Sequence, residues 1–285
     1  MSRRRASVAL TLPMLLMLGY TLLPLVWLAL SATKDNRDLF ASPGLWFGED
    51  FALFDNIGKV LAYDDGIYLR WFGNTLLYAV AGAGGAALIA TLGGYALAKF
   101  AFPGRRLLFL MVLGAISVPG TALALPTYLL AAEAGIVDTP LAVILPALAS
   151  PFGLYLMRAY AQEAVPDSLL EAARLDGAGE LRIFTSISLR LLAPGFVTVL
   201  LFALVATWNN YFLPLTVLSS PEQFPLTVGL RQWHGLANGG SGGATEAMYP
   251  LLLTGSLLAV VPLVIAFLFL QRFWQSGLST GAVKG

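Results

Sequence analysis

PDSLLEAARLDGAGELRIFTSISLRLLAP, residues 166–194, is the stretch around which the chain is organised. It is the longest charged segment in the apolar half of the sequence. Ser168 followed by Glu171 reads as a capping box, the hydroxyl taking an amide in the first turn and the carboxylate reaching back to the cap amide. Pro166 cannot continue a helix from upstream, so the start is sharp. Leu169, Leu170, Ala172, Ala173 and Leu175 predict a short helix, and Asp176-Gly177 stops it, since glycine takes a left-handed cap without steric cost. Ile183, Phe184 and Ile187 at helical spacing predict a second. A helix of about eight to ten residues is marginal alone in water. It is therefore either a solvated connector or a docking element. Its alanines admit a close partner, and Glu171, Arg174 and Asp176 can set the register.

What flanks this island is membrane-like. Hydrophobic residues make up 58% and charged residues 12%, against about 25% charged in a soluble domain. An all-α polytopic membrane protein is the consistent class. The net charge of +1 gives nucleic acid no footprint. With no cysteine, disulfides, thiolate metal sites and cysteine nucleophiles are excluded, and one histidine, His234, makes no multi-histidine metal site. Gly58-Lys59 lacks the first glycine and the hydroxyl of a phosphate-binding P-loop.

Six spans follow from the apolar runs: about 8–30, 75–98, 107–132, 140–160, 191–218 and 249–273. The first is too long for the core of a signal peptide and is read as retained. Between it and the second lies an acidic loop, 34–70, with amphipathic pieces, and Asn74 is placed to cap the second span. Residues 219–248 read as a flexible connector marked by Gly239, Gly240, Gly242 and Gly243, with His234 facing solvent. Of the 17 Lys and Arg, 12 fall in the alternate segments that begin with the N-terminus, and four of the other five sit in the one long loop. Both termini and the 166–194 island are therefore expected on the cytoplasmic side.

Two further patterns stand out. Gly82, Ala86, Ala90 and Gly94 recur every four residues and form a small-residue ridge, for close helix packing or for a solute path. Trp208-Asn209-Asn210, with Pro214 after it, is a polar spot in the fifth apolar run. It reads as an interfacial belt or as part of a translocation path, with one asparagine facing the cavity and hydrogen-bonding the solute. Few ionisable groups lie deep in any span, so a proton relay has little support.

Glu171-Ala172-Ala173, Gly177 after three residues, and Ile187-x-Leu189 ten residues beyond resemble the EAA loop of bacterial ABC importer permeases. Arg190 stands where that pattern has proline, the nearest proline being Pro194. WFGNTLLYA at 71–79 resembles the opening of the core in sugar-type permeases, and Trp208-Asn209 with Tyr211 resembles a pattern common in them. The last five residues, 281–285, resemble the ending of maltose-type subunits. The resemblance covers about 71–285. It implies a type I ABC importer permease fold in a bacterial cytoplasmic (inner) membrane. A first helix and long external loop (1–70) would precede a core (71–273) with a coupling loop (162–190) and a short tail (274–285). Glu171, Ala172, Ala173, Asp176, Gly177, Ile187 and Leu189 would couple to a cytoplasmic ATPase. Implied partners are a second homologous permease, two ATPase subunits, an extracytoplasmic solute-binding protein and membrane lipid. The chain would itself hold no cofactor, ATP and magnesium staying with the ATPases, and would be no enzyme. The implied cargo is a mono- or oligosaccharide. The alternatives are a glycerol phosphodiester or phosphate ester as solute, an ion-coupled carrier, or a scaffold subunit without a solute path.

Overall fold

The computed structural model describes residues 2–239 and 248–281, and every regular element among them is helical. The chain opens with α1 (Ser2–Ala32), about 46 Å long at 1.5 Å per residue. The expected loop 34–70 holds two short helices, α2 (Asn36–Ala41) and α3 (Leu53–Ala62), then a tight turn at Tyr63–Gly66. α4 (Ile67–Lys99) begins ahead of Asn74, so Asn74 lies inside a helix and caps nothing.

The third span is broken rather than continuous. α5 (Arg105–Ile116) and α6 (Ala124–Glu133) are joined through a turn at Gly120–Leu123, and the pair is bent by 100°. Pro119 explains this locally, because it disfavours helical backbone at Val118 and offers no amide of its own. The Ser117 and Ala122 amides bond instead to Gly114 O and Pro119 O. α7 (Pro140–Ala147) and α8 (Pro151–Ala164) together make one span, with the Ser150 hydroxyl accepting from the Gly153 amide at the joint.

α9 (Asp167–Leu175) and α10 (Glu180–Ile183) form the polar island. A π-helical turn, Phe184–Ser188, leads straight into α11 (Leu189–Trp208), so the second helix of the island does not break at Arg190 but runs on into the span. That span ends at Trp208, not at Leu218, and a separate α12 (Phe212–Val217) follows. The expected connector contains α13 (Leu226–Gly239), and the last helix is α14 (Met248–Gly281). Gly240, Gly242, Gly243 and the last four residues lie outside the described residues. Among the described residues five helices are long and apolar enough to cross a membrane, six with the bent pair counted as one span.

Two compact units result. One joins residues 1–69 to 229–261. Its centre is Trp233, 1% exposed, stacked on Tyr68 at 5.8 Å and met edge-on by Tyr63 at 5.5 Å. The Tyr68 hydroxyl donates to Gly255 O at 2.8 Å. The other unit, residues 70–228 and 262–285, carries the candidate site. Its core joins Ala87, Ala90 and Tyr95 of α4, Met157 and Ala161 of α8, Leu170 and Ala173 of α9, and Leu192 and Val199 of α11.

Candidate functional site

α9 is held from behind and bare in front. Leu170 and Ala173 point into the core, while Glu171, Ala172, Leu175 and Asp176 are exposed. Its start is not the expected capping box: the helix begins at Asp167 after Pro166, no side chain caps it, and Ser168 lies within the first turn. Beside the start lies Lys99 at the end of α4, whose ammonium donates to Asp167 Oδ1 at 2.7 Å. The Lys99 side chain is only 4% exposed, against 78% for Asp167. This hydrogen bond and charge hold the Asp167 carboxyl below its ordinary range.

The other end is a glycine-terminated cap. Gly177 has φ +80°, the Gly177 amide bonds to Arg174 O and the Ala178 amide to Ala173 O, each at 3.0 Å. That double bond satisfies two of the last carbonyls of α9 and turns the chain back. Arg174 bridges the turn to Glu180 at 2.6 Å. Beyond it Ile183 is buried, Ile187 half-buried and Leu189 exposed. The Ser188 hydroxyl donates to the Tyr95 hydroxyl at 3.1 Å, and Tyr95 meets Phe184 at 5.0 Å. Leu175 and Leu181 stand 89% and 78% exposed on either side of the turn. The arrangement is a short lever with apolar knobs, seated on spans α4, α8 and α11.

The four ridge residues Gly82, Ala86, Ala90 and Gly94 are all buried along α4. Gly94 lets α8 approach so closely that an added Cβ would sit 2.6 Å from Met157 Cβ and 2.7 Å from the Arg158 amide nitrogen. At Gly82 the same atom would meet Ala147 Cβ at 2.9 Å.

A cavity of about 1100 Å³ opens beside the breaks in the spans. Its lining is mostly apolar, with Thr121, Thr127 and Asn210 among the few polar side chains. Asn210 is the one member of the Trp208-Asn209-Asn210 group that reaches it. Trp208 is buried against Phe72, and the Asn209 amide group returns to Val205 O at 2.9 Å. The triplet is therefore divided by the helix end, and its three side chains do not converge.

Sequence reasoning missed a polar clamp. Trp71, Asn74, Thr75 and Tyr78, one face of α4 at helical spacing, hold the segment 221–226. Trp71 Nε1 donates to Pro221 O, the Asn74 amide group to Glu222 O and Phe224 O, and the Tyr78 hydroxyl to Gln223 O, while the Leu226 amide donates to Thr75 Oγ1. From the other side Asp138, itself at φ +59°, accepts from the Ser219 and Ser220 amides and from the Ser220 hydroxyl. Those bonds, the Ser220 hydroxyl's first, lower the Asp138 pKa. The signal was present as four polar-tipped residues recurring on one helical face.

Residues 86–279 match the family described as binding-protein-dependent transport system inner membrane component. The arabinooligosaccharides transport system permease protein AraQ of Halalkalibacterium halodurans is 35% identical over 263 residues, covering 92% of this chain and 91% of that one. The maltodextrin transport system permease protein MdxG of Bacillus subtilis is 35% identical over 225 residues, 78% of each chain. Among solved structures, a chain of a bacterial ABC transporter involved in the import of the acidic polysaccharide alginate superposes with a TM-score of 0.82. It is 20% identical, and the match covers 96% of this chain and 98% of that one, which speaks to the fold.

Proposed function

The chain belongs to the binding-protein-dependent transport system inner membrane components, and we propose that within this family it is a permease subunit of an ATP-driven importer of oligosaccharides. The observation that carries the mechanism is α9: an exposed short helix whose inner face shares one apolar cluster with three spans. A partner that grips Glu171, Ala172, Leu175 and Asp176 moves that cluster as a body. In this reading two ATPase subunits supply the movement when they close on ATP, and the spans rock between inward- and outward-open arrangements. A second permease subunit faces the cavity lined by Thr121, Thr127 and Asn210. A solute-binding protein delivers the cargo from outside, and both termini lie in the cytoplasm. No covalent chemistry falls to this chain. The relatives named for arabinooligosaccharides and maltodextrin support a neutral saccharide as cargo.

The test is reconstitution of the chain with its co-purifying subunits and a binding protein in vesicles. Labelled arabino- or malto-oligosaccharide is expected to enter only with ATP on the ATPase side. Uptake without ATPase subunits that follows an ion gradient would assign a secondary carrier instead. Glu171→Lys is expected to release the ATPase subunits in detergent, and undiminished co-purification would refute docking through this face.

A further inference from the structure

We propose that residues 40–54 form a membrane-boundary platform whose aromatic side chains lie in the lipid headgroup and upper acyl layer. Six apolar side chains in this short segment are exposed: Phe40, Leu45, Trp46, Phe47, Phe51 and Phe54, from 50% to 77%. Isolated exposed apolar residues are ordinary on any protein, but six together, five of them aromatic, form a patch that calls for a partner.

The patch is not a slack loop. Three buried polar side chains build it from beneath. Lys34, 1% exposed, donates from Nζ to Pro43 O at 2.7 Å. The Asp38 carboxylate accepts from the Glu49 amide at 2.7 Å, and the Asp38 carbonyl from the Ser42 amide and hydroxyl. Asn56 donates to Ala32 O and Lys34 O at the end of α1, and the Ala52 amide bonds to Thr33 O. Gly48 passes so close that an added Cβ would fall on the Asp38 carboxylate. Folding thus spends its polar groups on fixing the backbone while leaving the rings outside.

Lipid is the occupant because the patch continues the apolar surface of a span and carries the aromatic residues that the headgroup boundary favours. The span Thr11–Ala32 is only 6% buried within the chain, so its apolar sides are left for the membrane and its spans. Trp27, 42% exposed near the end of that span, packs against the platform at Gly44, where an added Cβ would lie 3.4 Å from Trp27 Nε1. The exposed apolar surface therefore passes from α1 through Trp27 to Leu45 and Trp46. Tryptophan and its aromatic neighbours at the end of a span are the residues the headgroup boundary favours. α3 adds Phe54 beside an Asp55–Lys59 ion pair on its surface, the pattern of a helix lying along an interface.

This chain has no cysteine, so any background label sits on partner subunits, and the unsubstituted complex serves as the control. Nitroxides at Trp46→Cys, Phe51→Cys and Phe54→Cys, in the assembled transporter in phosphatidylethanolamine–phosphatidylglycerol nanodiscs, report collisions with oxygen and with a water-soluble nickel complex. Met17→Cys, 70% exposed within the first span, serves as the lipid reference. Oxygen is expected to win at all three positions, by less than at Met17. A nickel excess overturns the proposal in favour of water, and low collision with both overturns it in favour of a protein partner. As a check free of labels, brominated-lipid quenching of tryptophan emission should fall in Trp46→Phe relative to the parent. An unchanged quenching overturns the placement of Trp46.

Discussion

The lever at 166–189 and the clamped segment at 217–226 are both short irregular pieces between spans, yet they are held in opposite ways. The lever is seated by apolar contacts, Leu170, Ala173 and Ile183 in a core with α4, α8 and α11, and its outer face carries charges and two bare leucines. The clamped segment is seated by hydrogen bonds, its carbonyls and amides taken by Trp71, Asn74, Thr75, Tyr78 and Asp138. A seat made by burial leaves the polar groups of the outer face free for another protein. A seat made by hydrogen bonds consumes the polar groups and leaves a rigid shape. The first suits transmission of force and the second suits a fixed rim.

The largest effect should come from the lever's seat. Leu170→Ala removes a side chain 2% exposed and should cost about 3 kcal/mol locally, uncoupling ATP hydrolysis from uptake while the ATPases still bind. Gly94→Val should act through the same cluster, since its Cβ has backbone of α8 in its way, with about 3 kcal/mol lost and reduced yield of folded protein. If transport survives Leu170→Ala intact, the lever does not work through its apolar seat.

Next comes the turn. Gly177→Val places a β-branched residue at φ +80°, which costs about 1–2 kcal/mol although nothing lies within 4 Å of the new atom. The protein should insert normally and lose ATP-driven uptake. Wild-type uptake would mean the cap is not what aims α9.

These two cases also show what the sequence could tell. Gly177 was legible because a left-handed cap demands one residue type and Asp176-Gly177 announces it. The helix's start was not: Ser168 and Glu171 have capping spacing, but Pro166 already holds extended backbone, and the charge beside it comes from Lys99, 68 positions away. The breaks after Ile116 and Trp208 carry local marks, Pro119-Gly120 and Asn209-Asn210, but the apolar runs on either side add up to full spans, and proline is tolerated inside a membrane helix. α13 was misread as connector because Gly239, Gly240, Gly242 and Gly243 mark the stretch as loop, whereas burial of Trp233 stabilises the helix ahead of them. Asn74 signalled polarity correctly, and its partner, 148 positions on, could only appear with the fold.

A smaller effect tests the rim. Asp138→Asn keeps the shape but weakens three acceptor contacts at a half-buried site, so the loss should be about 1 kcal/mol. The folded pKa is lowered from the ordinary 3.8, so the ionised group's contribution is complete above that value and is lost only as pH falls through the lowered one. Hydrogen exchange at Ser219 and Ser220, corrected for intrinsic rate, should therefore show protection unchanged between about pH 5 and pH 8 in the parent. It should be faster in Asp138→Asn throughout that range. Equal protection in the two proteins would show that Trp71, Asn74, Thr75 and Tyr78 hold the segment without Asp138.

The smallest effect belongs to Asp167→Asn, and it is the one that separates the two kinds of seat within the lever itself. Asp167 is mostly in water, so its bond to Lys99 is screened, while the Lys99 stem stays buried whichever partner its ammonium finds. Uptake should fall only slightly, and the difference from the parent should shrink as salt is raised. The double variant with Lys99→Met should lose more than Asp167→Asn, because it also alters packing at the end of α4. If Asp167→Asn alone stopped transport as fully as Leu170→Ala, the lever would be an electrostatic device, and the contrast with the rim would fail at its strongest point.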